Sequence, residues 1–427
     1  MNAAIIFLIL LVLMLTGMPI SISLGLTVLT FLFGFTHVPL ESVALKLFTG
    51  IEKFEIMAIP FFILAGNFLT HGGVARRMIK FATAMVGHWY GGLGLGGVLA
   101  CALFAAVSGS SPATVVAIGS ILLPAMTKAG FPNKFGAGVI TTSGALGILI
   151  PPSIVMVMYS VATNTSVGAL FMAGVVPGLA LAGVLGGVTY WRARKFNYPR
   201  MPKATWGERW QAFRASAWGL LLIVIVMGGI YTGMFTPTEA AAMSAVYAFF
   251  VAVFVYKDMG LKDVPKVLLN SANMSAMLLY IITNAVLFSF IMTNENIPQA
   301  LADWMLGNGL GMITFLLAVN VILLLAGNFM EPSSIVLIFA PILFPVAMKL
   351  GIDPVHFGII MVVNMEVGMC HPPVGLNLYV ASGITKMGIT ELTVAVWPWL
   401  LAMLGFLIVV TYWPGLSLWF PHMLGMM

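Results

Sequence analysis

The chain has 427 residues, 61% of them hydrophobic and 7% charged, with a mean hydropathy of +1.07. Soluble domains carry about a quarter charged residues, so a water-soluble fold is excluded. The net charge of +6 sits in membrane-flanking loops and is no nucleic-acid footprint, so no nucleic-acid partner is expected.

Apolar runs of eighteen or more residues recur along the whole length. They are continuous, so they predict transmembrane helices and not the ~10-residue alternating strands of an outer-membrane barrel. In chain order the predicted spans are 3–17, 19–36, 55–70, 134–163, 168–190, 215–235, 239–256, 270–293, 355–384 and 390–413. Met1–Leu15 lacks a charged n-region and a cleavage site, so it is expected to remain as a span. Surface helices are expected at 41–50 and 258–268, and short amphipathic segments at 74–90 and 297–309. Cys101 and Cys370 fall in apolar segments and offer neither a disulfide framework nor a zinc spacing.

Two stretches, 92–127 and 310–348, are interrupted by small and polar residues followed by proline. The interruptions read Ser108-Gly109-Ser110-Ser111-Pro112 and Gly327-Asn328-Phe329-Met330-Glu331-Pro332. Each arm is about 24 Å long at 1.5 Å per residue, short for a ~30 Å hydrocarbon core. A hairpin that enters and leaves on one side fits, and so do two short full spans. The loop from Trp191 to Arg214 carries seven basic residues and is read as cytoplasmic. Sixteen of the nineteen basic residues then share that side, leaving Lys46, Lys53 and Lys349 outside. Both termini come out periplasmic. Re-entrant hairpins and paired full spans give the same parity, so charge does not separate them.

The two halves repeat one design. Thr16-Gly17-Met18 recurs as Thr232-Gly233-Met234, Ile121-Leu122-Leu123-Pro124 as Ile342-Leu343-Phe344-Pro345, and Gly147-x-x-x-Pro151-Pro152 as Gly368-x-x-x-Pro372-Pro373. The expected fold class is an all-α polytopic membrane protein of two inverted repeats, 1–190 and 215–427, joined by a cytoplasmic linker, 191–214. Such repeats, each with a re-entrant hairpin and a broken helix, are a feature of secondary transporters that bind substrate at the repeat interface.

Segments 134–163 and 355–384 would reach about 45 Å if fully helical, and each has a glycine and a Pro-Pro pair near its centre. Proline lacks the N–H and clashes with the preceding turn, so the helix is expected to open there. Carbonyls of Ala145–Ile150 and Val367–His371 become candidate cation ligands, because lipid cannot satisfy freed backbone. Ser111 and Glu331 are the expected N-caps of the helices that begin at Pro112 and Pro332. Four half-helix N-termini near Pro112, Pro152, Pro332 and Pro373 would favour an anion. Kinked but structural helices are the plainer reading of any one break; the matched pair favours binding. Glu331 and Glu366 are costly at depth.

These residues resemble the large membrane subunit of the tripartite ATP-independent periplasmic (TRAP) transporters, the DctM-like family, over essentially the whole chain. The resemblance rests on Gly17-Met18-Pro19-Ile20, Ile59-Pro60-Phe61-Phe62-Ile63-Leu64-Ala65-Gly66, Ser108–Thr114, Gly147–Ser153, Pro237-Thr238-Glu239-Ala240-Ala241 and His371-Pro372-Pro373-Val374-Gly375. It implies an elevator-type importer in the bacterial inner membrane, driven by sodium and moving organic acids. The likeness is greatest to the sialic acid branch, SiaM type, so sialic acid is the expected substrate. Two partners are implied: a small membrane subunit (DctQ/SiaQ-like) and a periplasmic substrate-binding protein (DctP/SiaP-like). No cofactor is expected beyond sodium as the coupling ion. The resemblance places one sodium site at Ser108, Gly109, Ser110, Ser111, Ala145 and Gly147. It places the other at Gly327, Asn328, Glu331, Val367, Gly368 and Met369. Substrate is expected between the tips, at Ser111, Thr142, Ser153, Asn364 and Pro373. A stand-alone sodium–carboxylate symporter of the same architecture is compatible with these residues. An intramembrane enzyme is not expected, because Glu331 and Glu366 form no catalytic motif.

Overall fold

In the computed structural model the described residues are 2–36, 39–309, 311–328, 330–373 and 375–426. Among them the chain is all-helical, with no strand. The first half contains α1 (Asn2–Leu15), α2 (Ile20–Phe35), α3 (Leu40–Thr49), α4 (Ala58–His71), α5 (Val74–Val86), α6 (Gly92–Ser108), α7 (Ser111–Lys128), α8 (Asn133–Gly144), α9 (Ile154–Thr163) and α10 (Val167–Lys195). The second contains α11 (Trp206–Tyr231), α12 (Pro237–Phe250), α13 (Val264–Asn294), α14 (Ile297–Gly307), α15 (Met312–Gly327), α16 (Pro332–Lys349), α17 (Pro354–Cys370), α18 (Leu376–Thr385), α19 (Ile389–Tyr412) and α20 (Gly415–Met423). Eight helical stretches are long and apolar enough to cross a membrane by length and composition.

The halves exchange partners. Helix α4 packs on α12, and its counterpart α13 packs on α2. Helix α7 packs on α18, and its counterpart α16 packs on α9. The last spans, α10 and α19, pack on each other. Reciprocal contacts of this kind are what a two-fold relation between copies produces. Whether the hairpins re-enter or cross, the predicted spans give each half an odd number of crossings, which makes the repeats inverted. The centre is densely filled. Trp399 of α19 is fully buried, and its indole N–H donates to Thr189 Oγ1 of α10 at 2.9 Å.

Three boundaries differ from the sequence expectation. The interhelical linker is shorter than 191–214, because α10 runs to Lys195 and α11 starts at Trp206 on a Thr205–Glu208 capping box. No separate surface helix covers 258–268. Pro265 stands in the first turn of α13, where proline is tolerated, and nothing interrupts that helix before Asn294. Helix α20 is an addition, entered through Trp413 and Pro414.

Candidate functional site

Each hairpin tip lies on the break of its own half. In the first half, α8 gives way to a single 3₁₀ turn, Ala145–Ile148, and α9 restarts after Pro151-Pro152. Gly147 faces the tip so closely that a Cβ there would stand 2.5 Å from the Ser110 carbonyl oxygen. Gly109 turns the tip in the left-handed conformation (φ 59°) and lies against the Pro152 carbonyl. In the second half, Gly327 and Gly368 meet back to back, a Cβ on Gly327 falling 2.9 Å from Gly368 Cα. The Asn328 amide, oriented so that its nitrogen faces the acceptors around it, donates to the carbonyls of His371 and Pro372 at 3.1 and 2.9 Å. Both breaks carry a cis Pro-Pro peptide. The two positions of the sequence motifs at Phe329 and Val374 lie outside the described residues.

The first tip also reaches the other half. Ser111 is fully buried, and its Oγ pairs with the Asn377 side chain of α18 at 2.7 and 3.1 Å. Asn377 also donates to the Thr141 carbonyl at 3.3 Å. Sequence reading missed Asn377; a lone asparagine in the apolar start of α18 was the available signal. The expected cap at Ser111 moves back one residue. Ser110 is extended (φ −140°, ψ 127°) and occupies the N-cap, which turns Ser111 into the helix and aims its hydroxyl at Asn377. Ser108 Oγ bonds Thr114 Oγ1 at 2.9 Å, and Thr114 in turn donates to the Ser110 carbonyl at 2.8 Å.

The remaining expected residues divide. Ser153 caps α9, accepting from Met156 N at 3.4 Å. Glu331 is the N-cap of α16 and accepts from Ser334 Oγ at 3.1 Å. Thr142 is buried with its hydroxyl turned back on the Gly138 carbonyl. Asn364 donates to the backbone and side-chain oxygens of Asn320 on α15 at 3.0 and 2.9 Å, a turn away from Gly368, and so joins the second hairpin to its broken helix. Val367, Gly368 and Met369 lie inside α17, which stays helical to Cys370. The second helix opens after the glycine, because glycine costs a helix interior only ~1 kcal/mol whereas the residue before a proline is driven extended. His371 is that residue (ψ 134°). Pro373 is exposed, whereas Pro151 and Pro152 are buried, so the second break is the more open.

Backbone carbonyls and hydroxyl groups therefore gather at both tip-to-break contacts, close to the starts of four half-helices. Unpaired N–H groups at those starts suit an anion, and the opposing carbonyls suit a hard cation. Glu366 adds a fully buried carboxylate whose two oxygens have no hydrogen-bond partner among the described residues.

The architecture and the motifs agree with comparisons to known proteins. The solved structure of the YdaH transporter of Alcanivorax borkumensis superposes with a TM-score of 0.62 over 88% of this chain and 89% of that one, at 16% identity, which is a likeness of fold alone. The C4-dicarboxylate TRAP transporter large permease protein DctM of Rhodobacter capsulatus is 76% identical over 100% of both chains. Its namesake in Pseudomonas aeruginosa is 56% identical over 95% of each. The sialic acid TRAP transporter large permease protein SiaM of Vibrio cholerae is 36% identical over 96% of each. Residues 7–416 match the family described as the tripartite ATP-independent periplasmic transporter, DctM component. The chain belongs to that family, and is a large, multi-span transporter permease and not an enzyme.

Proposed function

We propose that this permease imports a C4-dicarboxylate across the bacterial inner membrane, driven by sodium, by an elevator motion. The dicarboxylate replaces the sialic acid expected from sequence, because identity to the dicarboxylate permeases of 76% and 56% far exceeds the 36% to the sialic acid permease. The observation that carries the mechanism is the tip-to-break contact in both halves, Gly147 on Ser110 and Gly327 on Gly368.

Sodium occupies the carbonyls and hydroxyls of Ser108–Ser111 with Ala145 and Gly147, and those of Gly327, Asn328 and Glu331 with Val367–Met369. Binding there orders the tips. The dicarboxylate lies between them, near Ser111, Ser153 and Pro373, against the half-helix N-termini. Sodium and substrate then favour each other's binding through the geometry they share. Helices α6–α10 and α15–α19 form the moving domain. Helices α1–α4 and α11–α13 form the scaffold, which a small membrane subunit broadens, and a periplasmic binding protein delivers the substrate. The termini lie in the periplasm.

The test is uptake of labelled succinate into proteoliposomes under an inward sodium gradient, adding the small subunit and the binding protein in turn. Uptake that needs all three components and sodium supports the proposal. Uptake by this chain alone would make it a stand-alone symporter, and uptake of sialic acid but not succinate would reverse the substrate assignment.

A further inference from the structure

A cavity of about 230 Å³ lies between the scaffold and the moving domain, away from the hairpin tips. Lys46 and Thr49 of α3, Lys53 of the following loop and Ser289 of α13 line one wall, and Leu337 and Pro341 of α16 line the other. Two of the chain's nineteen basic residues thus share one small space, and no acid lines it. Lys53 stands at the end of α4 opposite Arg76 and Arg77, on the face poor in basic residues. That face is periplasmic by the charge rule.

Neither lysine forms an ion pair among the described residues. Lys46 Nζ lies 5.4 Å from the Phe290 ring centroid. Lys53 Nζ donates to the Val161 carbonyl at 2.5 Å and to Asn164 Oδ1 at 2.7 Å, both neutral acceptors at the C-terminal end of α9. An ammonium has three protons to donate, so one remains. Burial pushes the Lys53 pKa down, and Glu55, which lines the adjoining cavity, acts against that shift. Two cations in a partly enclosed space that no acid lines, only one of them near a carboxylate, raise the local concentration of anions. The volume is below the ~300–1,000 Å³ of drug-sized sites, which suits a solute of a few heavy atoms.

We infer that Lys46 and Lys53 form a carboxylate-receiving site at the seam between scaffold and moving domain, which takes a small dicarboxylate before it reaches the tips. The inference rests on the import of an organic acid proposed above. In it, one carboxylate pairs with Lys46 and the other accepts a hydrogen bond from the remaining Lys53 N–H, with Thr49 and Ser289 hydroxyls alongside. Lys53 also grips α9, so an anion drawn to it acts at a contact between the two bodies of the permease.

The test uses the permease with its small subunit in liposomes. Cys101 and Cys370 are both buried, so Lys46→Cys gives one accessible thiol beside Lys53. A negatively charged methanethiosulfonate should modify it about tenfold faster than a positively charged one. Succinate should slow that reaction more than sodium chloride of equal ionic strength, and adding Lys53→Gln should abolish the charge preference. In parallel, Lys46→Gln should raise the KM for succinate uptake about tenfold with little change at saturation. Equal reagent rates, or no protection by succinate, would overturn the inference even where wild-type uptake is intact. Charge preference and protection without any wild-type succinate uptake would overturn the import reading and leave the anion site standing.

Discussion

Gly147 has no room for a side chain. A methyl at that position meets the Ser110 carbonyl at 2.5 Å, and the obstacle is backbone that cannot rotate away. Gly147→Ala therefore displaces the first tip, at a cost of about 1–3 kcal/mol for overpacking. The sodium concentration that half-activates uptake should rise about tenfold, since 1.4 kcal/mol is a factor of ten. An unchanged sodium response in that variant would mean the first sodium site is misplaced. Asn377 is the second sensitive position. Asn377→Ala leaves Ser111 Oγ without its partner in a buried setting, costing about 1–3 kcal/mol. Ser111→Ala alone should also destabilise, but the double variant should fall well short of the sum, because the two share one interaction. Thermal unfolding of the four proteins in the cycle checks this, and additive losses would dissociate the two side chains.

At the scale of elements, α5 is tied to the loop after α12 by Asp258, which receives Arg76 Nη2 at 2.9 Å and also Arg77. The Arg77 guanidinium in addition stacks 3.8 Å from the Tyr256 ring centroid. Burial works against the Asp258 carboxylate, but the hydrogen bonds and charges of Arg77 and Arg76 outweigh it and hold its pKa below the usual range. A carboxyl depressed in the folded state adds stability above its unfolded value, about 3.9, and loses it as pH falls through the folded value. Asp258→Asn should lower the unfolding temperature at neutral pH, and the difference from wild type should shrink on acidification. A pH-independent difference would assign the effect to packing. The same scale shows what the sequence could disclose. Proline pairs and glycine tips were legible because each follows from one residue's backbone chemistry, and the repeats because three motifs recur in the same order. The extent of α13 was not, since Pro265 reads equally as the end of a surface helix or as the first turn of a span. The second helix opens at its proline pair as expected, but the carbonyls expected to be freed from Val367 onward belong to a helix that runs to Cys370. Gly368 marks a close approach to Gly327, which sequence does not display, and is not itself a helix break. Asn364 and Asn377 illustrate the limit at the site. Both are buried amides, yet one joins α17 to its own hairpin and the other joins the two halves.

At the scale of the whole molecule, the reciprocal pairing of α4 with α12 and of α13 with α2 builds one body from both halves. The pairing of α7 with α18 and of α16 with α9 builds another. In the elevator motion proposed above the second slides against the first, which requires contacts across the seam to break in each cycle. Lys53 crosses that seam, bonded to the last turn of α9 through Val161 and Asn164. The contact is charge-assisted but half-buried, which makes it strong enough to favour one position and weak enough to release. A covalent bond in its place would not release. In Lys53→Cys/Asn164→Cys, oxidation should arrest succinate uptake and a reductant should restore it, while each single variant responds to neither treatment. The two native cysteines are buried and should contribute no background. Gel mobility after proteolysis between the two positions reports whether the bond has formed. Full uptake by the cross-linked protein would place α9 on the fixed body and remove the elevator from the mechanism, leaving the tip-to-break sites to operate by local opening alone.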